Sequence, residues 1–162
     1  MQAPGCSEQM TAGSLSIRSD VLRRLADYWR QLSAPRRAPA RADFDPLDVP
    51  YALGYVSIVE VQRDPLRFYF RLDGTKQVEL FGIDCTRRYL DETMPKDHAA
   101  LTVRTYLEVM ETAAPQCHLR KVRFHERIID YEILILPFRG DGGDGAEIDF
   151  LITGIVPDYD WK

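Results

Sequence analysis

Asparagine is missing from this chain, and cysteine and histidine are scarce, with three of each in 162 residues. Cys6, Cys85 and Cys117 are too few, and odd in number, for a disulfide framework, which points to a reducing compartment. No apolar run approaches the roughly 20 residues needed to cross a bilayer. The opening MQAPGCSEQMTAGSLS also lacks the charged start and apolar stretch of a secretory signal. Positive charge is not in excess: the net charge of −4 removes any global electrostatic reason to expect nucleic acid. The basic cluster from Pro35 to Arg41 reads as a solvated linker. A cytoplasmic protein is expected, with neither a membrane nor nucleic acid as partner.

What is present suits one domain with a real core. Residues 1–16 are small, polar and aperiodic, and read as a flexible tail. Within 17–34, Val21, Leu22, Leu25, Tyr28, Trp29 and Leu32 recur at helical spacing and give one broad apolar stripe. Ser19 or Asp20 supplies an N-cap and Pro35 a stop. That stripe needs a cover, either the chain's own domain or a second copy. Leu22, Leu25 and Trp29 are therefore the candidate dimer residues, and a homodimer is expected.

From residue 35 to 160 the pattern is mixed. Asp43, Asp45 and Asp48 lie around Pro46 and Pro50 and read as turn formers. A calcium loop would need a glycine at its sharp turn and a closing glutamate. Alternation then predicts strands at 55–61 and 67–73, with Phe68, Phe70 and Leu72 sharing a face. A short helix follows, capped by Thr75 and closed by Gly82. A longer helix is predicted over 97–113, with Leu101, Tyr106, Leu107, Val109 and Met110 as its apolar positions. Strands at 117–124, 128–138 and 148–156 close the chain, the first pair turning at His125-Glu126-Arg127. The glycine-rich RGDGGDGAE joins two strands and carries Asp141 and Asp144, so it reads as a hairpin tip and not a phosphate loop. Two strands, helices, then three strands predict an α+β fold: a five-stranded antiparallel sheet with crossing helices on one face and an N-terminal amphipathic helix.

This order resembles the PAS domain, and more closely a group of single-PAS bacterial proteins best known from alphaproteobacteria. Four motifs carry the likeness: Asp27-Tyr28-Trp29-Arg30; the segment Pro39 to Pro46 with Arg41, Asp43, Asp45 and Pro46; Arg71-Leu72-Asp73-Gly74-Thr75; and Gly82-Ile83-Asp84-Cys85-Thr86. The resemblance runs from about residue 17 to 158. It implies a sensory or interaction module with a small-ligand cleft between sheet and helices, and no catalysis.

The last motif is also near the Gly-x-Asn-Cys core of flavin-binding photoreceptor domains, whose side-chain amides hold the polar edge of the ring. Here the missing asparagine decides. Asp84 stands at the motif amide, Tyr131 to Ile135 offer none, and valine falls near the expected glutamine of the last strand. Unpaired polar edges of a buried flavin would cost several kcal/mol. Haem needs a histidine in an apolar pocket, whereas His98, His118 and His125 all read as exposed. The paired spacings of a zinc site are absent, and no arrangement announces a nucleophile. No cofactor, metal or enzymatic activity is expected.

Two functions remain. In the first, a cleft lined by Phe70, Arg71, Leu72, Phe81, Tyr106, Tyr131 and Ile133 binds a small ligand, and Arg71 either meets an anionic group or pairs with Asp43, Asp45 or Asp73. In the second, a ligandless adaptor binds a second copy or a signalling partner. The 162 residues leave no room for a kinase, cyclase or DNA-binding segment, so the output is expected to pass through another protein.

Overall fold

The computed structural model describes residues 15–33, 38–140 and 147–158. Most of the expected tail, part of the basic cluster and the tip of the glycine-rich loop therefore lie outside the described residues. Helix α1 spans Asp20–Ser33. Its start is fixed by Ser19, whose Oγ accepts from the Leu22 amide at 3.3 Å and whose carbonyl accepts from Arg23 N–H at 2.9 Å. Single 3-10 turns at Arg41–Asp43, Pro46–Asp48 and Leu53–Tyr55 carry the chain to the sheet. The aspartates act there as turn formers: Asp43 accepts from the Ala40 amide at 3.0 Å, and Asp45 accepts from Leu47 at 3.0 Å.

Strands β1 (Val56–Gln62) and β2 (Arg67–Asp73) form a hairpin. Helices α2 (Thr75–Phe81) and α3 (Lys96–Thr112) then cross over to β3 (Gln116–Phe124), β4 (Arg127–Arg139) and β5 (Ile148–Pro157). The five strands form one antiparallel sheet, as the sequence predicts, and their order is β2-β1-β5-β4-β3. The β3–β4 turn is two residues, His125 and Glu126, both at positive φ (51° and 66°), the left-handed pair that matches the twist of a hairpin. Thr75 is not the cap of α2. Gly74 is, its carbonyl accepting from Val78 N–H at 3.0 Å. A side chain at Gly74 would run into the carbonyl oxygens of Gly54 and Val56, so this motif glycine marks a close backbone approach.

The sheet is covered on both faces. Thr153 and Ile155 face α2 and α3, while their neighbour Gly154 faces α1. A Cβ at Gly154 would lie 2.7 Å from a methyl of Leu22 and 3.1 Å from one of Leu25. Leu22 and Leu25 are fully buried and Trp29 is 6% exposed; the Trp29 indole donates to the Pro137 carbonyl at 2.8 Å. The three candidate dimer residues are thus corrected: their stripe is buried against the chain's own sheet. Tyr28 explains the other half of the Tyr-Trp pair. It donates to Asp48 at 3.0 Å, accepts from the Asp45 amide at 3.1 Å, and packs edge-on to Phe44, which meets Phe138 in the same way. One hydrophobic cluster includes residues of α1 and of the sheet.

Two further expectations change. A bulge sets Ile58 opposite Leu72 but Val59 opposite Phe70, so Arg71 is the extra residue and the alternation of β2 breaks there. Leu72 is 43% exposed instead of sharing the face of Phe68 and Phe70, and Asp73 turns inward. On α3 the buried positions are His98, Thr102, Thr105, Tyr106 and Val109, a largely polar stripe, while Leu107 is exposed.

Candidate functional site

The segment after α2 runs back along the free edge of β2. Arg87 N–H donates to the Phe70 carbonyl at 2.7 Å and Phe70 N–H to Arg88 at 2.9 Å, so the edge is covered. Gly82 ends α2 at φ 77°. Asp84 accepts from the amide and hydroxyl of Thr86 at 3.0 and 2.7 Å, closing a local turn that holds its carboxyl below the usual range. Thr86 Oγ1 in turn accepts from Asp73 N–H at 3.2 Å, and Cys85 N–H donates to Asp73 Oδ2 at 3.0 Å. The motif residues Gly82, Asp84 and Thr86 therefore bolt this crossover to the end of β2.

Behind the crossover, between α2, α3 and the sheet, lies a cavity of about 50 Å³, counted as space open to the centre of a water molecule. Five of the seven cleft candidates line it: Phe70, Phe81, Tyr106, Tyr131 and Ile133. The other two do not. Leu72 is exposed on the far side of the bulge, and Arg71 points to solvent, where its guanidinium pairs with Glu60 at 2.9 Å. Glu60 was not among the carboxylates expected for Arg71, because the cross-strand neighbour depends on the bulge.

Sequence reasoning missed the polar part of this wall: Asp73, Gln77, Cys85, Thr93, His98, Thr102 and Thr153. Asp73 is 9% exposed and accepts from Ser57 Oγ at 2.6 Å as well as from Cys85; burial raises its pKa, and these donors oppose the rise. His98, expected to be exposed, is 8% exposed and shares a 2.6 Å hydrogen bond with Tyr131 Oη. Burial and the Arg120 cation lower its pKa, keeping the imidazole neutral. Burial pushes the Cys85 thiol up to about 12, with the Asp73 carboxylate adding to the shift. The Tyr106 phenol is raised for the same primary reason, and its hydroxyl has no hydrogen-bond partner among the described residues. The helical spacing of 98, 102 and 106 was the available signal for this wall; its polar residues hid it from a hydrophobicity reading.

A five-stranded antiparallel sheet in this order, with a helical crossover between β2 and β3 and a cavity beneath it, defines a PAS-type module. A PAS-domain family model matches residues 17–155, and the chain belongs to the PAS domain family. Among solved structures it is similar to the N-terminal domain of a diguanylate cyclase with PAS/PAC sensor from Marinobacter aquaeolei. That match has 14% identity and a TM-score of 0.42, covering 63% of this chain and 94% of the other. It is also similar to the PAS domain of Bordetella pertussis BvgS, with 16% identity and a TM-score of 0.37, covering 70% of this chain and 85% of the other. No curated protein gives a significant match. Among the described residues, no helix is long and apolar enough to cross a membrane.

Proposed function

We propose that this PAS module is a non-catalytic sensor that binds a small molecule in the cavity beneath the crossover and signals through a separate partner protein. The observation that carries this reading is the cavity itself. Its walls are aromatic and aliphatic, yet they bring together Asp73, His98, Tyr106 and Tyr131 at one place. Occupancy would be felt by the crossover, because Asp73 holds the Cys85 amide directly and meets Thr86 through its own amide.

The thiol chemistry of the site supports the same reading. A cysteine whose pKa is pushed up to about 12 is protonated at neutral pH and is a poor nucleophile. The test is to denature the purified protein and identify what is released by mass spectrometry and absorbance. A stoichiometric small molecule is the expected result. No released compound, together with no stabilisation of the fold by any small-molecule library, would remove the sensor reading.

The adaptor reading draws on a different observation. Leu119 and Ile128 are 43% and 57% exposed on the β3–β4 hairpin, where β3 ends the strand order of the sheet. Helix α1 offers a second copy only its outer, charged face, because its apolar stripe is already covered. Loss of partner capture on substituting Leu119 and Ile128 by serine, with no ligand found, would favour the adaptor.

A further inference from the structure

The cavity wall holds a carboxylate but no cation to go with it. Charges taken out of water are ordinarily paired with an opposite charge. Asp73 is 9% exposed, yet its hydrogen bonds come from a hydroxyl and an amide, and no ion pair includes it among the described residues. No lysine or arginine lines the cavity, and its single imidazole, His98, is engaged by Tyr131. Five aromatic rings share the wall: Phe70, Phe81, Tyr106, Phe124 and Tyr131. A carboxylate that shares a wall with aromatic rings is an environment suited to an ammonium group, through charge pairing together with cation–π attraction.

We propose that this cavity receives a small organic cation, a protonated primary alkylamine, with its ammonium on Asp73 and its carbon chain against the rings. This deepens the sensor reading and rests on it. The donor count fits. An ammonium brings three N–H groups; a carboxylate has lone pairs beyond the two occupied by Ser57 and Cys85. Tyr106 Oη has no partner among the described residues. Gln77 spends its Nε2 on the Tyr55 carbonyl at 2.7 Å, which leaves its Oε1 as an acceptor on the wall.

The size fits as well. One water needs about 10–15 Å³ of space measured this way, so about 50 Å³ takes roughly three to five non-hydrogen groups. Drug-sized ligands occupy sites of about 300–1,000 Å³. An anion would meet Asp73 with no compensating charge. A neutral alcohol would fill the space but leave the carboxylate without its counter-ion.

The experiment titrates the protein with propylammonium, 1-propanol and propionate at constant ionic strength, following backbone amide shifts by NMR. Saturable shifts at Phe70, Asp73 and Cys85 with propylammonium are expected, at least tenfold tighter than with 1-propanol, and none with propionate. Asp73→Asn should weaken propylammonium at least tenfold, and Tyr106→Phe several-fold, with 1-propanol affected by neither substitution. Should Asp73→Asn fail to fold, the comparison of ammonium with alcohol on the unaltered protein decides. If 1-propanol or propionate binds as tightly as propylammonium at these residues, the cation proposal falls while the cavity reading stands. If no probe binds saturably, the cation proposal falls, and the sensor reading is decided by the release and library experiments above.

Discussion

At the scale of single residues, His98 in the cavity wall and the partly buried His118 on β3 shape how the protein responds to acid. Burial and the Arg120 cation lower His98 and bring His118 to about 4. An imidazole in the unfolded chain titrates at about 6.5. Below that pH the unfolded chain therefore binds more protons, and stability is lost as pH falls from about 6.5 toward the folded values. His118→Gln leaves a hydrogen-bonding side chain beside Gln116 and removes its share of this loss. The urea midpoint of the variant should fall less between pH 7 and 4.5 than that of the parent; an equal fall would refute the assignment. Asp73 acts in the opposite sense. Its raised pKa means that the native state holds a proton longer than the unfolded one, so its contribution declines as pH rises through that value. Cys85 gives a second residue-scale prediction. With its thiol at about 12 and half-buried, alkylation by iodoacetamide at pH 7.5 should run at least tenfold slower in the folded protein than after denaturation. Peptide-resolved mass spectrometry would read this, and equal rates would show a reactive thiol.

At the scale of elements, the packing of the α1 stripe on the chain's own sheet can be checked by substitution. Leu22 is fully buried against Gly154, so Leu22→Ala should cost about 2–5 kcal/mol in denaturant unfolding. It should leave the molar mass measured by light scattering unchanged, whereas an interface residue would shift mass and spare stability. Gly74→Ala should also destabilise, since its Cβ meets two backbone carbonyls that cannot move aside as a side-chain tip can. Its thermal midpoint should fall by several degrees, while the same change at exposed Gly82 would act only through its φ of 77°. Element positions were largely legible in the sequence because alternation and helical spacing record which side of each segment is buried. The strand Arg67–Asp73 was predicted to its bounds. Within it, the bulge was not legible: the extra residue at Arg71 arises from pairing with β1, and nothing local to RFYFRLD specifies it. That one irregularity exposed Leu72, sent Arg71 to Glu60 and brought Asp73 into the cavity. The polar stripe on α3 was missed for a related reason, since its residues are buried by partners distant in sequence, as His98 is by Tyr131.

At the scale of the whole molecule, the sheet is the layer through which the cavity and α1 can influence one another. Alternate residues of β4 face opposite ways: Tyr131 and Ile133 line the cavity, while Glu132 reaches the other side. There the Glu132 carboxylate, 4% exposed, accepts from the amides of Arg18 at 2.7 Å and Ser19 at 3.0 Å, just ahead of α1. This buried acceptor fixes the entry to the helix, and Ser19 then caps it. Removing it strands two amide donors in a poorly hydrated place, at about 1–3 kcal/mol. Glu132→Ala should therefore loosen α1 before it loosens the sheet. Hydrogen exchange followed by mass spectrometry should show faster exchange across 18–33, with the central strands β1 and β5 protected as in the parent. If exchange rises evenly over the sheet and α1, the helix is not a separable layer, and any signal from the cavity must leave through the crossover at 82–89 instead.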